Sequence, residues 1–283
     1  MKALNPTYGK YLDHYSRLVI QVSETLKDIY WTKNKQFNGA KALYSDAIDD
    51  YFWTLVEQIE VDNKSEFLAL EKKVGAFFNK IKKQYSFYLT PFDRQRRIHQ
   101  WLQELGYHKK FEDNFMFLEN PQLDNYKQPP SANISVTEVK TLKDNETYIT
   151  VYTKAYTSNP DDAYYDFGSE GVYENIYRES WKNPIMRKKM RKFIGFYKGN
   201  PAWCGAIYFQ DKLVYIAEVG TDNQFRRKGL AKNVSLACIN AGIQQGCKTL
   251  LLGTEKNSPA EKLYLSLGFQ PKTTFWGMVK NKS

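Results

Sequence analysis

The chain has 283 residues, of which 42% are hydrophobic and 16% aromatic, enough for a packed core and more than one domain of ordinary size. This composition excludes disorder, and the sequence lacks the run of about 18 apolar residues that a membrane span needs. The net charge of +10 lies mainly in the second half, because residues 131–283 carry 22 Lys and Arg against 14 Asp and Glu. Residues 1–130 carry 19 against 17.

The cysteines and histidines show no metal-ligand spacing, so we expect no metal site. Cys204, Cys238 and Cys247 form no C-x-x-C pair, and their odd number argues against a disulfide framework. The first residues, Met-Lys-Ala-Leu-Asn-Pro, lack the apolar core of a signal peptide. We therefore expect reduced cysteines and a cytoplasmic protein.

The first half ends in a helix, a glycine and a strand. Residues 66–82 predict a long amphipathic helix and 86–90 a strand. Residues 98–107, with Gly106 near their end, then predict a short helix with a glycine stop, followed by a strand at 115–118. The segment 121–131 contains three prolines and no apolar periodicity, so it predicts a linker between domains 1–120 and 132–283.

The second half alternates strands and helices. Strands are predicted at 134–139, 193–197, 203–209, 213–221 and 274–279, and helices at 148–156 and 173–189. Turns at 199–201 and 210–212 join the middle strands into two hairpins. This order predicts an α+β fold with a mostly antiparallel sheet.

The segment 219–231 predicts a strand that leads through a basic turn into a helix. A helix N-terminus presents backbone N–H groups without intrahelical partners at the positive end of the helix dipole, and anions bind there. Gly229 permits close backbone approach and Ala231 keeps the next turn small. The positive charges of Arg226, Arg227 and Lys228 favour phosphate. The pattern therefore indicates a pyrophosphate site at the start of a helix over about 230–245.

A second motif follows: a strand at 248–254, then a cap, a short helix and a glycine stop over 257–269. With these pieces the sequence resembles the GCN5-related N-acetyltransferase (GNAT) family over roughly its last 150 residues. Arg226-x-x-Gly229-x-Ala231 fits the family's pyrophosphate signature. Asn257, Ala260, Tyr264 and Leu267-Gly268-Phe269 fit its closing helix and turn.

The resemblance implies a GNAT fold and acetyl-CoA as cosubstrate. The first half repeats the helix-glycine-strand ending of the second but has neither the pyrophosphate signature nor the tyrosine, since Leu102 stands at that place. We interpret residues 1–120 as a degenerate, non-catalytic GNAT-like domain in a tandem arrangement. Convergent helix-turn-strand endings are the alternative. The predicted coenzyme ligands are Val219, Thr221, Arg226, Arg227, Lys228, Gly229, Leu230, Ala231 and Asn257, with helix capping as the alternative for Asn257.

Amine acetylation needs a base for the amine and an acid for the departing thiolate. The resemblance places Tyr264 beside the coenzyme sulfur, and a phenol has a pKa close enough to that of a thiol to return its proton. Glu218 is the candidate base, because an acidic residue inside an apolar strand is costly unless it is paired or used. The alternatives are a solvent-facing Glu218 and a water chain as the base.

The acceptor amine is the least determined part of the site. Tyr164, Tyr165 and Tyr177 are candidate wall residues, together with Tyr173 and Trp181, although the same aromatics are equally suited to cover the core. Asp161, Asp162 and Asp166 are candidates to meet a cationic amine. We predict an N-acetyltransferase for a small amine. The alternatives are a transferase for a protein or an aminoacyl-tRNA, suggested by the basic second half, and a non-catalytic acyl-CoA-binding module. No membrane partner is expected, and nucleic acid is not the favoured partner.

Overall fold

The computed structural model describes residues 6–27, 29–127, 131–157 and 171–281. The elements up to residue 119 are, in chain order, α1 Pro6–Gly9, α2 His14–Leu26, β1 Lys33–Phe37, β2 Ala40–Tyr44, β3 Leu55–Glu57, α3 Lys64–Lys80, β4 Ser86–Leu89, α4 Pro91–Gln95, α5 Ile98–Glu104 and β5 Tyr107–Glu119. A 3₁₀ turn over Leu123–Tyr126 follows.

The remaining elements carry the second half of the chain. They are β6 Ile134–Glu138, α6 Leu142–Thr157, α7 Val172–Lys182, α8 Pro184–Lys188, β7 Met190–Tyr197, β8 Asn200–Gln210, β9 Leu213–Thr221, α9 Leu230–Gln244, β10 Thr249–Glu255, α10 Pro259–Ser266 and β11 Gln270–Lys280. The predicted α+β class with mostly antiparallel pairing is confirmed. Two strand pairs, β3 with β4 and β9 with β10, are parallel, and the other pairs whose register is known are antiparallel.

The chain divides into two compact units. The first contains the residues up to Met116 together with 253–262 and those from Pro271 onward. Its strands are ordered β1-β2-β3-β4-β11-β5. The long amphipathic helix α3 buries Phe67, Leu70, Val74 and Phe78 in the core of this unit. Asn63 caps α3 by accepting from the backbone N–H of Glu66, which explains why the helix begins at Lys64.

The division differs from the predicted boundaries at the C-terminus. Strand β11 pairs antiparallel with β4, where Trp276, Gly277 and Met278 lie opposite Leu89, Tyr88 and Phe87. Met278 is buried in the core of the first unit. Apolar alternation predicts a strand but does not indicate the strand with which it pairs. The sequence therefore places β11 in the second domain, which is the part of the chain directly before it.

The predicted linker also differs from the structure, because most of it packs into the second unit, residues 117–252 and 263–270. Tyr126 lies 9% exposed, its hydroxyl donates to the carbonyl of Leu267 at 3.2 Å, and its own carbonyl accepts from the Asn240 side chain at 2.9 Å. The prolines at 129 and 130 lie outside the described residues. The proline-rich composition correctly predicts an irregular segment. Nothing in the sequence indicates that Tyr126 anchors this segment to the second unit.

The second unit is a sheet ordered β10-β9-β8-β7-β6. Helices α6 and α9 both pack on its central strands β8 and β9. The predicted helix over 173–189 is two helices, because Pro184 starts α8 and the side chain of Asn183 caps it. The predicted strand at 213–221 is confirmed at both ends.

Gly195 is required by close packing across β7 and β8. It pairs with Trp203, and a Cβ at this position would lie 1.7 Å from the fully buried Trp203 ring. We expect Gly195→Ala to lower the free energy of unfolding by about 1–3 kcal/mol in urea titrations. Gly75→Ala is the control, because a Cβ there would meet its nearest neighbour at 3.5 Å, and alanine in helix α3 is expected to stabilise. Equal effects of the two changes would refute the packing argument.

Candidate active site

Strand β9 pairs with β10 only over its first residues and forms a bulge against β8. It pairs with β10 in parallel from Leu213 with Thr249 to Tyr215 with Leu251, and residues 216–221 extend beyond these pairs. Against β8 the register shifts, since Ala217 pairs with Ala206 and Gly220 pairs with Cys204. Two residues of β9, Glu218 and Val219, therefore lie opposite the single Gly205, which is a β-bulge.

Glu218 adopts the left-handed conformation within this bulge, with φ +59°. Such a conformation is uncommon for a residue with a Cβ and is found more often at functional sites. The neighbouring glycines permit helices to approach closely. A Cβ on Gly205 would lie 3.1 Å from Val234 of α9, and one on Gly220 would lie 2.8 Å from Ala155 of α6. The bulge is thus held tightly between two helices.

The carboxylate of Glu218 is the acceptor for two phenols. Tyr148 of α6 and Tyr208 of β8 each donate a short hydrogen bond to one of its oxygens. Both tyrosines are buried, and burial, with the charge of Glu218 as a further cause, raises the pKa of Tyr148 well above its usual value. The phenol of Tyr148 therefore stays protonated. Glu218 is paired with both hydroxyls, as expected for an acidic residue inside an apolar strand. Its role as base stays a prediction.

The carbonyls at the end of β9 already accept hydrogen bonds. The hydroxyl of Tyr156 donates to the carbonyl of Val219 at 3.3 Å, and Nε of Arg226 donates to the carbonyl of Thr221 at 3.3 Å. Arg226 also donates from Nη2 to the carbonyl of Ala155 at 3.0 Å. Its side chain therefore ties the turn to the end of α6, and its direct contribution to phosphate binding stays a prediction.

The turn between β9 and α9 has an ordered backbone. The side chain of Asp222 accepts from the N–H of Gln224 at 3.1 Å and starts a 3₁₀ turn over Asn223–Phe225. Arg227 and Gly229 have positive φ angles of 62° and 73°. Gly229 is the N-cap of α9, and within the described residues no side-chain hydrogen bond caps this end.

The residues around Gly229 divide into exposed and buried positions. A Cβ on Gly229 would have no heavy atom of the described residues within 4 Å apart from its chain neighbours, so space in front of the helix is open. Lys228 is exposed, and its Nζ lies 4.8 Å from the ring centroid of Tyr197. Leu230 is buried in the core, whereas Arg227 is exposed. The turn therefore offers open N–H groups with nearby positive charge.

Tyr264 lies on α10 with 6% of its surface exposed. Burial raises the pKa of its phenol, Cys238 adds to the increase, and a side-chain hydrogen bond with Ser235 of α9 opposes it. The phenol is therefore protonated at neutral pH. Tyr264 packs against Phe269 beyond the glycine stop, with ring centroids 5.8 Å apart.

The helix cap near Asn257 is formed by its neighbour. The hydroxyl of Ser258 accepts from the N–H of Glu261 at 3.1 Å, and Glu261 in turn accepts from the N–H of Asn257 at 2.6 Å. The side-chain capping proposed as the alternative for Asn257 therefore belongs to Ser258. Asn257 is exposed and has a positive φ of 63°, and its role as a coenzyme ligand stays a prediction.

The predicted acceptor wall is only partly described. Tyr164 and Tyr165, like Asp161, Asp162 and Asp166, lie outside the described residues. Tyr177 is 1% exposed and packs edge-on against Tyr152 with ring centroids 4.7 Å apart. Tyr173 and Trp181 are also buried. For Tyr177 the structure therefore corrects the prediction, because its ring fills the core instead of presenting a surface to a substrate.

The cysteines are free and buried, as expected for packing residues. Burial raises the pKa of the thiols of Cys204 and Cys238, which opposes a nucleophilic role for them. Among the described residues, no three His, Cys, Asp or Glu side chains are grouped to hold a metal ion. No helix within the described ranges is both long and apolar enough to cross a membrane.

Three functional candidates had no signal in the sequence. Tyr148, Tyr156 and Tyr208 contact the bulge from α6 and β8, at least ten residues away from it in the chain. Each tyrosine also fits the core pattern of its own element. Only the register of β8 with β9 and the position of α6 bring the three hydroxyls to one place.

Comparison with known proteins gives a family match and a fold. Residues 193–276 match the model of the FR47-like protein family. A GCN5-related N-acetyltransferase from Kribbella flavida is similar in structure, with a TM-score of 0.68 and 16% identity over 94% of this chain and 96% of its own. A functionally unknown conserved protein from Staphylococcus epidermidis gives 0.66 and 16% identity over 91% and 98%. No curated protein matches the sequence.

The tandem arrangement has a structural parallel as well. A tandem GNAT protein from the clavulanic acid biosynthesis pathway gives a TM-score of 0.58 with 12% identity, over 86% of this chain and 79% of its own. The GNAT fold predicted from the sequence is thereby confirmed. The matches also agree with the resemblance to this family, and at 16% identity the Kribbella flavida structure shows the fold.

Proposed function

We propose that this chain is a GCN5-related N-acetyltransferase that transfers an acetyl group from acetyl-CoA to a primary amine. The observation that carries the proposal is the path of β9. The strand extends beyond its pairs with β10 after Tyr215, bulges at Glu218 and leads through a basic turn into the uncapped start of α9. An extended acyl-thioester with a pyrophosphate at one end fits such a path.

The turn suits the pyrophosphate of the coenzyme. The first N–H groups of α9 point toward open space in front of Gly229, and a bulky residue at that position would fill the space. Arg227 and Lys228 are exposed beside it and supply positive charge. Arg226 contributes by fixing the turn against α6 through the carbonyls of Ala155 and Thr221.

The pantetheine arm is proposed to lie along residues 216–221, in the manner of an added strand. The backbone groups of Val219 and Thr221 then bind its amides. The carbonyl of Val219 accepts from Tyr156, and because a carbonyl oxygen has two lone pairs it can also accept from the coenzyme.

Glu218 and Tyr264 are the proposed base and acid. Glu218 takes a proton from the amine nitrogen as the new N–C bond forms, and Tyr148 and Tyr208 hold its carboxylate in place. Tyr264 gives its proton to the sulfur as the C–S bond breaks. The phenol carries that proton at neutral pH, and because burial raises its pKa further above that of a thiol, the transfer depends on the sulfur being bound close to the hydroxyl. The residues thus supply both proton transfers that aminolysis of a thioester requires.

A small amine is the proposed acceptor, and the first unit is proposed to have no catalytic role. Leu102 stands at the place of Tyr264 in the helix-glycine-strand repeat and is fully buried in the core of that unit. A leucine cannot transfer a proton. A protein or an aminoacyl-tRNA is the second candidate acceptor, because the net positive charge lies in the second half of the chain.

The experiment is a thiol-release assay with acetyl-CoA and a panel of acceptors: small amines, lysine peptides and aminoacyl-tRNA, each with wild type and with Glu218→Gln. Turnover of a small amine that Glu218→Gln greatly reduces supports the proposal. Turnover of only peptide or tRNA would support the second candidate. Acetyl-CoA binding without thiol release from any acceptor would leave a non-catalytic binding module and overturn the enzyme proposal.

A further inference from the structure

Lys192 of β7 is a fully buried lysine that has no role in the proposed acetyl transfer. Its side chain is 0% exposed. Its Nζ lies 4.8 Å from the ring centroid of Tyr148, 4.7 Å from that of Tyr177 and 6.0 Å from that of Trp181. The side-chain oxygen of Asn145 accepts from Nζ at 3.4 Å, which is long for a hydrogen bond. An ammonium group removed from water is expensive unless nearby groups stabilise it, and aromatic faces do so.

The strand register places Lys192 on the same face of the sheet as Glu218. Lys192 pairs with Ala206 in β8, and side chains two residues apart on a strand share a face. Tyr208 therefore lies on this face, and its hydroxyl donates to Glu218. Tyr148 connects the two charges directly, because its ring faces Lys192 while its hydroxyl donates to Glu218.

The groups that face Lys192 come from four elements. They are Glu218 from β9, Cys204 from β8, Asn145 and Tyr148 from α6, and Tyr177 and Trp181 from α7. Burial raises the pKa of Cys204 and Tyr148, so both are neutral at physiological pH. Glu218 is therefore the anion that balances Lys192 in this cluster.

We propose that Lys192 is a positioning residue for Glu218: its buried ammonium orders the ring of Tyr148, and the Tyr148 hydroxyl holds the Glu218 carboxylate in place at the bulge. The proposal rests on the function proposed above for Glu218. A carboxylate held in one orientation is already placed to accept a proton when the amine binds.

The coupling of the two charges is measurable without acetyl transfer. Burial lowers the pKa of Lys192 to about 8, and the charge of Glu218 opposes this decrease. In full-length protein labelled with ¹³C at lysine Cε, the Lys192 signal is expected to titrate near pH 8. Exposed lysines titrate at about pH 10.4. Its assignment comes from its absence in Lys192→Arg, which keeps a cation at this position.

The Glu218→Gln variant gives the decisive shift. Without the carboxylate charge, the midpoint of the Lys192 signal is expected to fall further, by about one pH unit. This variant leaves Lys192 in place, so the test does not depend on the folding of Lys192→Met. Titration of every lysine signal with the exposed lysines, or an unchanged midpoint in Glu218→Gln, would overturn the proposal.

The kinetic test uses an acceptor that the wild type acetylates. In Lys192→Met, kcat/KM for this acceptor is expected to fall about tenfold with the Kd for acetyl-CoA unchanged, because the Glu218 carboxylate is no longer held in place. Lys192→Arg is expected to restore part of the loss. The matched control is Lys198→Met, which removes the exposed ammonium directly after β7 and should leave kcat/KM unchanged.

The two proposals fail in different ways. If the NMR coupling is present but no acceptor is acetylated, the proposed function fails and the charge coupling stands. If acetylation occurs and kcat/KM of Lys192→Met equals that of wild type, the positioning role is wrong and the proposed function stands.

Discussion

Tyr264→Phe is expected to turn over acetyl-CoA at about one hundredth of the wild-type rate or less, with a nearly unchanged Kd for acetyl-CoA. General acid catalysis by a positioned side chain typically contributes about 10²–10⁴ in rate, and phenylalanine lacks the proton that the thiolate needs. The ring of Tyr264 packs against Phe269, so the substitution keeps the packing and removes only the hydroxyl. Thiol release at saturating acceptor gives kcat, and calorimetric titration gives Kd.

Tyr126→Phe is the matched control for this result. Its hydroxyl is also buried and donates to the carbonyl of Leu267 at the end of α10, three residues beyond Tyr264. Removing it costs a hydrogen bond of similar kind without touching the proposed acid, so stability should fall slightly and kcat should stay within about twofold of wild type. Normal turnover by Tyr264→Phe, or an equal loss in both variants, would show that the acid assignment is wrong.

Gly229→Trp is expected to abolish the increase in Tm that acetyl-CoA gives the wild-type protein. An indole at this position fills the open space before α9, and φ of +73° is unfavourable for any residue with a Cβ. A ligand at 100 times its Kd stabilises a protein by about 2.7 kcal/mol, so the loss is measurable in thermal unfolding curves. The same curves without ligand report whether the variant folds.

Gly246→Trp separates coenzyme binding from backbone strain. Gly246 follows the other end of α9, has the same φ of +73°, and a Cβ there also meets no heavy atom of the described residues within 4 Å. Both substitutions therefore carry a comparable strain, and both should lower the Tm of the free protein by similar amounts. Only Gly229→Trp should lose the response to acetyl-CoA. Retention of that response by Gly229→Trp would refute the pyrophosphate site.

The sequence predicted the local elements of the second half well because each has its own periodicity. Strand β9 and helix α9 begin at the predicted residues, and glycine stops follow α9 and α10 at Gly246 and Gly268, both with positive φ. Pro184 divides the predicted helix 173–189 into two helices, and a proline at this place is a local signal for such a break. Apolar spacing alone predicts one continuous helix here.

The arrangement of the site was less accessible, because it depends on partners distant in sequence. Glu218 was identified as an unusual acid in an apolar strand, but the bulge and its left-handed φ arise from the register of β9 against β8. Lys192 ends a run of basic residues over 187–192, a composition typical of a solvated helix end. The structure places it in β7 and buries its side chain completely. Charge alone gave no indication of this burial.

Calorimetric titration of the intact chain with acetyl-CoA tests the central claim most directly, since every proposed role depends on a coenzyme at β9 and α9. We predict one site per chain with a micromolar Kd, and weaker binding of acetyl-pantetheine, which lacks the pyrophosphate that the start of α9 is proposed to hold. Absence of measurable binding at millimolar acetyl-CoA, or equal affinity for the two compounds, would contradict the account.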